Sequence, residues 1–143
     1  MDNNALITLI GKQIIDGEED GYELTTVGKY TKQNGKYFAS YEGSEITGHE
    51  NTTTTLKIKD DFVSMVRLGK NSPVSQMVFQ QRKQYRGIYN TPYGTMTVDV
   101  YTKDMTVDVN DDGGEINLDY LVQLNDSEPV RNNLTVKIRK VEQ

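Results

Sequence analysis

A repeat of two residues constrains this chain more than any other feature. Ile116, Leu118, Tyr120, Val122 and Leu124 recur at every second position. That spacing puts all five on one face of a β-strand and scatters them around a helix. Turn-forming segments bracket the run, Asp111-Asp112-Gly113-Gly114 before it and Asn125–Pro129 after it. The unit recurs in Tyr85–Tyr101, where two strand-like runs meet at Thr91-Pro92-Tyr93-Gly94. Pro92 suits the second position of a type I turn because its ring fixes φ, and Gly94 suits the fourth. Beyond that turn Met96, Val98 and Val100 alternate with Thr95, Thr97 and Asp99, giving one apolar face and one wet face.

The rest of the chain follows suit. Ala5–Ile15 forms a first strand, in which Gly11 marks a bulge or a close approach of another group. The acidic segment Asp16–Gly21 is expected to turn. Tyr22, Leu24, Thr26, Gly28 and Tyr30 then share a face, and Asn34-Gly35 is a strong hairpin signal. Strands are expected over Lys36–Ile46, Asn51–Lys59, Phe62–Leu68 and Val74–Gln81, with room for one helical turn near Asn71–Ser75. The polar pair Lys103-Asp104 is expected to separate Tyr101 from a further run carrying Met105, Val107 and Val109. The last strand carries Leu134, Val136 and Ile138. Short strands with short turns pair sequentially and antiparallel. An open sheet of that size would leave long edges, so closure is favoured. The expected fold is all-β: one domain over residues 1–143, an up-and-down antiparallel barrel of roughly eight to ten strands.

Composition narrows the functions. Hydrophobic residues make up 35% of the chain, lean for a globular core but workable where alternate strand positions face water. The net charge of −5 argues against nucleic acid and anionic membrane as partners, since both select a basic patch. The absence of cysteine excludes disulfides and thiolate chemistry. No segment reads as a signal peptide or a membrane-spanning helix, so the expected location is the cytoplasm.

An ordered set of motifs runs through the chain: Tyr41-Glu42-Gly43-Ser44-Glu45-Ile46-Thr47-Gly48, Thr53 and Thr55, Arg67-Leu68-Gly69, Gln76-Met77-Val78-Phe79 and Thr91-Pro92-Tyr93-Gly94. From about Ala5 to Arg139 the sequence resembles a Firmicute family of uncharacterised proteins, the one that includes YwiB of bacilli. The resemblance implies a calycin-like, lipocalin-type barrel. It brings no activity, ligand or catalytic residue, and His49 departs from the apolar residue expected there.

Several residues carry candidate chemistry. Asp108-x-Asn110-x-Asp112-Gly113 matches the opening of a calcium loop, but strands flank it and position twelve is Asp119, so a hairpin turn explains it better. His49 is the sole histidine and reads as a loop residue; beside Glu45 or Glu50 it could act only as a lone base. No metal, cofactor or catalytic residue is assigned. Arg67, among Val63, Met65, Val66 and Leu68, would need a partner if it faced inward. Glu42 and Glu45 are natural partners, and a ligand carboxylate could take the same fork. Tyr37, Tyr41, Tyr85, Tyr89, Tyr93 and Tyr101 could line a cavity with apolar walls and hydroxyl handles, or simply pack as strand formers.

The leading expectation is a non-enzymatic barrel binding a small, partly apolar or carboxylate ligand, with Arg67, Tyr41, Glu42, Tyr89 and Tyr93 at the site. The alternative is a filled barrel acting as an interaction or homodimer-forming module. Its support is the strand Phe62–Leu68, apolar on both faces.

Overall fold

The computed structural model describes residues 3–43, 52–69, 75–91 and 93–141. It contains ten strands: β1 (Ala5–Ile15), β2 (Glu18–Gln33), β3 (Lys36–Glu42), β4 (Thr52–Lys59), β5 (Phe62–Gly69), β6 (Ser75–Phe79), β7 (Gln84–Thr91), β8 (Gly94–Asn110), β9 (Gly113–Leu124) and β10 (Val130–Lys140). All lie in one antiparallel sheet in the order β6-β5-β4-β3-β2-β1-β10-β9-β8-β7. The chain therefore starts in the middle of the sheet, and β1 pairs with β10 to join the two arms. This is the up-and-down barrel that the alternation implies.

Closure at the seam between β6 and β7 uses packing. Among the described residues no ladder joins these two strands. Gly87 on β7 is the cross-strand partner of Val98, a core residue, so its missing side chain would point inward. A Cβ there would lie 2.7 Å from the Gln76 carbonyl oxygen. β6 thus tucks against the inner face of β7, and only glycine lets the backbones come that close. Phe79 on β6 then meets Tyr120 on β9 edge to face, with ring centroids 4.8 Å apart.

Three boundaries differ from the expectation. Glu18–Gly21 belong to β2, because Asp16-Gly17 alone turns the hairpin, with φ of 52° and 80°. Both values are positive, as a two-residue primed turn requires, and Asn34-Gly35 repeats the geometry. Lys103-Asp104 does not end a strand either. β8 runs through it with a bulge between Thr102 and Asp104, which moves the inward phase from Val98, Val100 and Thr102 to Met105, Val107 and Val109. Finally, β6 stops at Phe79. The helical turn considered near Asn71–Ser75 and the segment Ser44–Ile46 fall outside the described residues, apart from the backbone of Ser75.

The inward faces fill much of the lumen. Ile7, Leu9, Leu56, Ile58, Val63, Met65, Phe79, Ile116 and Val136 are all fully buried. Tyr30 closes the same half, its hydroxyl donating to the Asn110 carbonyl at 2.7 Å. Tyr37 stacks on it and donates to Asp111 at 2.6 Å. Polar inward residues gather at the other end of the barrel.

Candidate functional site

At that other end the lumen opens into a cavity of about 350 Å³. Its walls come from β1 (Gly11, Lys12, Gln13), β2 (Asp20, Gly21, Tyr22), β9 (Tyr120) and β10 (Asn132, Asn133, Leu134), with Arg67 reaching in from β5. The register explains the wall. Gly11 pairs with Tyr22 on one side and Leu134 on the other, and Tyr120 pairs with Asn132. Gly11 marks a close approach without a bulge: an added Cβ would lie 2.6 Å from a Tyr22 ring carbon. The Tyr22 ring covers the place where Gly11 has no side chain, and the hollow begins beside it.

Arg67 faces the interior. It pairs with Thr54, which pairs with Tyr41, so the three inward side chains sit side by side on β5, β4 and β3. The Arg67 Nε and the Thr54 Oγ1 are both buried without a hydrogen-bond partner. Arg67 also interacts with the neighbouring Tyr41 hydroxyl, and its side chain borders the cavity. Among the described residues no carboxylate lies within ion-pair distance of Arg67. The ion pairs found join Lys32 to Asp111, Arg86 to Asp99 and Arg131 to Asp119.

Three tyrosines complete the electrostatics. Burial pushes the Tyr120 hydroxyl up to about 12, with Arg67 pulling partly the other way. Burial raises Tyr22 and Tyr41 too, and Arg67 opposes both shifts. At neutral pH all three are neutral hydroxyls around a permanent cation.

The expected site residues separate. Arg67 and Tyr41 come together as described. Glu42 follows Tyr41 on the opposite face of β3, is exposed, and shares a separate hollow of about 260 Å³ with Tyr41, Lys29 and Thr53. Tyr93 lies at the β7–β8 turn with 99% of its surface exposed. The Tyr89 side chain, Glu45 and His49 lie outside the described residues. Tyr37 belongs to the opposite end, Tyr85 donates to Gln80 at 2.5 Å, and Tyr101 faces outward. The calcium-like segment is the β8–β9 turn: Asn110 accepts from the Asp112 amide at 2.8 Å, and Asp119 is engaged by Arg131. Tyr22, Tyr120, Asn132 and Lys12 were missed. The two tyrosines were visible on the inward phases of β2 and β9; which end of the lumen each serves depends on strand tilt.

Fold and cavity together define an all-β up-and-down barrel with a polar-lined hollow at the Arg67 end. The chain belongs to a family described as "Domain of unknown function (DUF1934)", whose profile matches residues 7–136. It is similar in structure to the crystal structure of the ywiB protein from Bacillus subtilis, with a TM-score of 0.82 and 18% identity over 98% of this chain and 93% of that one. At that identity the likeness speaks for the fold. No curated protein matches the sequence.

Proposed function

We propose that this chain is a cytoplasmic, non-enzymatic barrel that binds one small, partly apolar molecule in the cavity at the Arg67 end. The observation that carries the reading is the cavity itself. Its volume of about 350 Å³ lies at the lower end of the range for small-molecule sites, roughly 300–1,000 Å³. The rings of Tyr22 and Tyr120 and the side chain of Leu134 supply apolar wall, and Arg67 supplies a cation with no carboxylate paired to it among the described residues. A cavity built only as slack would be lined by apolar groups and stay dry. The lack of cysteine accords with a reducing compartment.

A second reading has its own observation. Phe62, Val66 and Leu68 line the outer face of β5, and Leu68 is 55% exposed. A second copy covering that row would make the barrel a dimer-forming module. Native mass spectrometry of freshly purified protein tests both readings. A co-purified small-molecule mass supports the ligand, and a clean dimer without one supports the module. A ligand-free monomer that binds nothing from a metabolite extract counts against both.

A further inference from the structure

Building on the ligand-binding reading, we infer that the cavity takes a short carboxylic acid. Its carboxylate sits on the terminal nitrogens of Arg67, and the rest of the molecule points to the polar mouth formed by Lys12, Gln13, Asp20, Asn132 and Asn133.

Charge comes first. Arg67 lines the cavity, and among the described residues no carboxylate pairs with it. Tyr22, Tyr41 and Tyr120 cannot supply the missing negative charge, because burial keeps their hydroxyls protonated. Asp20 shares the cavity but sits at the rim, opposite Gln13 in the β1–β2 ladder. A cation taken out of water without a partner is costly, and a bound anion removes that cost.

Geometry favours a carboxylate among anions. A planar guanidinium offers two parallel N–H groups that match the two oxygens of a carboxylate. The chain pairs arginine with carboxylate in two-bond fashion twice elsewhere, there through Nε and one terminal nitrogen: Arg86 holds Asp99 at 2.8 and 3.1 Å, and Arg131 holds Asp119 at 3.2 and 3.0 Å. A phosphate dianion would call for more than one cation at depth, and Lys12 stands at the mouth.

Length follows from the filled half. Leu9, Leu56, Met65 and Phe79 leave no channel along the lumen, so a long acyl tail has nowhere to thread. The open direction leads past amides and charged groups.

The test uses full-length protein unfolded in urea and refolded to strip any co-purified ligand. Hexanoate, hexanamide, succinate, decanoate and inorganic phosphate are titrated by calorimetry against wild type, Arg67→Met and Arg67→Lys. Hexanoate or succinate should bind, with hexanamide at least about tenfold weaker than hexanoate, since a charge-assisted pair is lost. Arg67→Met should reduce carboxylate affinity by at least about tenfold, with Arg67→Lys in between. Decanoate should bind no more tightly than hexanoate. Equal binding of hexanoate and hexanamide, an unaffected Arg67→Met variant, phosphate bound more tightly than the carboxylates, or a decanoate advantage of about tenfold or more would each overturn the inference. Hexanamide binding that is abolished by Asn132→Trp, which fills the mouth, would leave the ligand reading standing while the carboxylate falls. No binding by any probe, together with no co-purified mass, would remove both.

Discussion

Replacing Arg67 by Met should make the ligand-free protein more stable. The Arg67 Nε–H is buried and makes no hydrogen bond. A buried donor left unsatisfied costs about 1–3 kcal/mol relative to its hydrated state. Methionine reaches as far as the Nε position and carries no donor, and it can keep contact with the wall through an adaptable thioether. No ion pair is lost, because Arg67 has no carboxylate partner among the described residues. The expected gain is therefore about 1–3 kcal/mol, a large step for a domain whose total stability is of order 5–15 kcal/mol. For a chain of this length it would raise Tm by roughly 2–4 °C per kcal/mol. The assay is urea unfolding of refolded protein at neutral pH, followed by fluorescence and circular dichroism, with the slope checked for constancy. A shift of the midpoint to higher urea at unchanged slope is the predicted result. A variant less stable than wild type would mean that Arg67 ties the wall together, and the reasoning that reserves it for a ligand would fail.

Tyr120 should keep its proton far into the alkaline range, titrating near pH 12. Because the folded protein holds that proton more tightly than the unfolded chain, the associated stability is intact below about pH 10 and is lost as pH rises towards 12. Spectrophotometric titration should show alkaline unfolding in that window, less steep in Tyr120→Phe. Phe79→Ala should cost about 3–5 kcal/mol, since it empties a fully buried site and removes the edge contact with Tyr120; urea unfolding measures it. Tyr93→Ala and Glu42→Gln should leave carboxylate binding and stability within about 0.5 kcal/mol of wild type, because both side chains are exposed away from the cavity; calorimetry with hexanoate checks this. Gly11→Ala should keep the fold but push the Tyr22 ring aside, weakening binding without touching Arg67. An unchanged affinity in that variant would place the ligand elsewhere.

The barrel was legible because its information is local. The face shared by Tyr22, Leu24, Thr26, Gly28 and Tyr30 is the inward face of β2, and Asn34-Gly35 is the hairpin it promised. The bulge in β8 was legible too, in the change from even to odd inward positions between Val100 and Met105, but a polar pair at the change reads more easily as a turn. The site was legible only in part. Tyr41 and Arg67 lie on β3 and β5, which flank β4 in one meander, and their inward phase follows from their buried neighbours Ala39 and Met65. Tyr22 and Tyr120 join them across the lumen through strand tilt and through the β1–β10 pairing, which no local pattern encodes. Tyr93 lies at the β7–β8 turn and projects into solvent, away from the Arg67 cavity.

The division of the lumen follows from where large side chains are missing. On the β6 side, the close passage permitted by Gly87 brings Met77 and Phe79 inward, and Phe79 reaches Tyr120. A further hollow of about 390 Å³ lies along that seam, lined by Met77, Gly87, Val98 and Val100. On the β1–β2–β10 side, the inward positions approaching the mouth are Gly11, Gln13 and Asn132, where the deeper positions carry Ile7, Leu9 and Val136. Removing apolar volume at those positions destabilises the barrel through lost packing, and the buried, unbonded Arg67 Nε–H nearby destabilises it further. On the proposed reading these two departures from a well-packed core, side by side at the Arg67 end, have a single cause. A guest that fills the space and meets the charge relieves both at once, and a barrel selected for stability alone would have closed the gap with leucine and methionine.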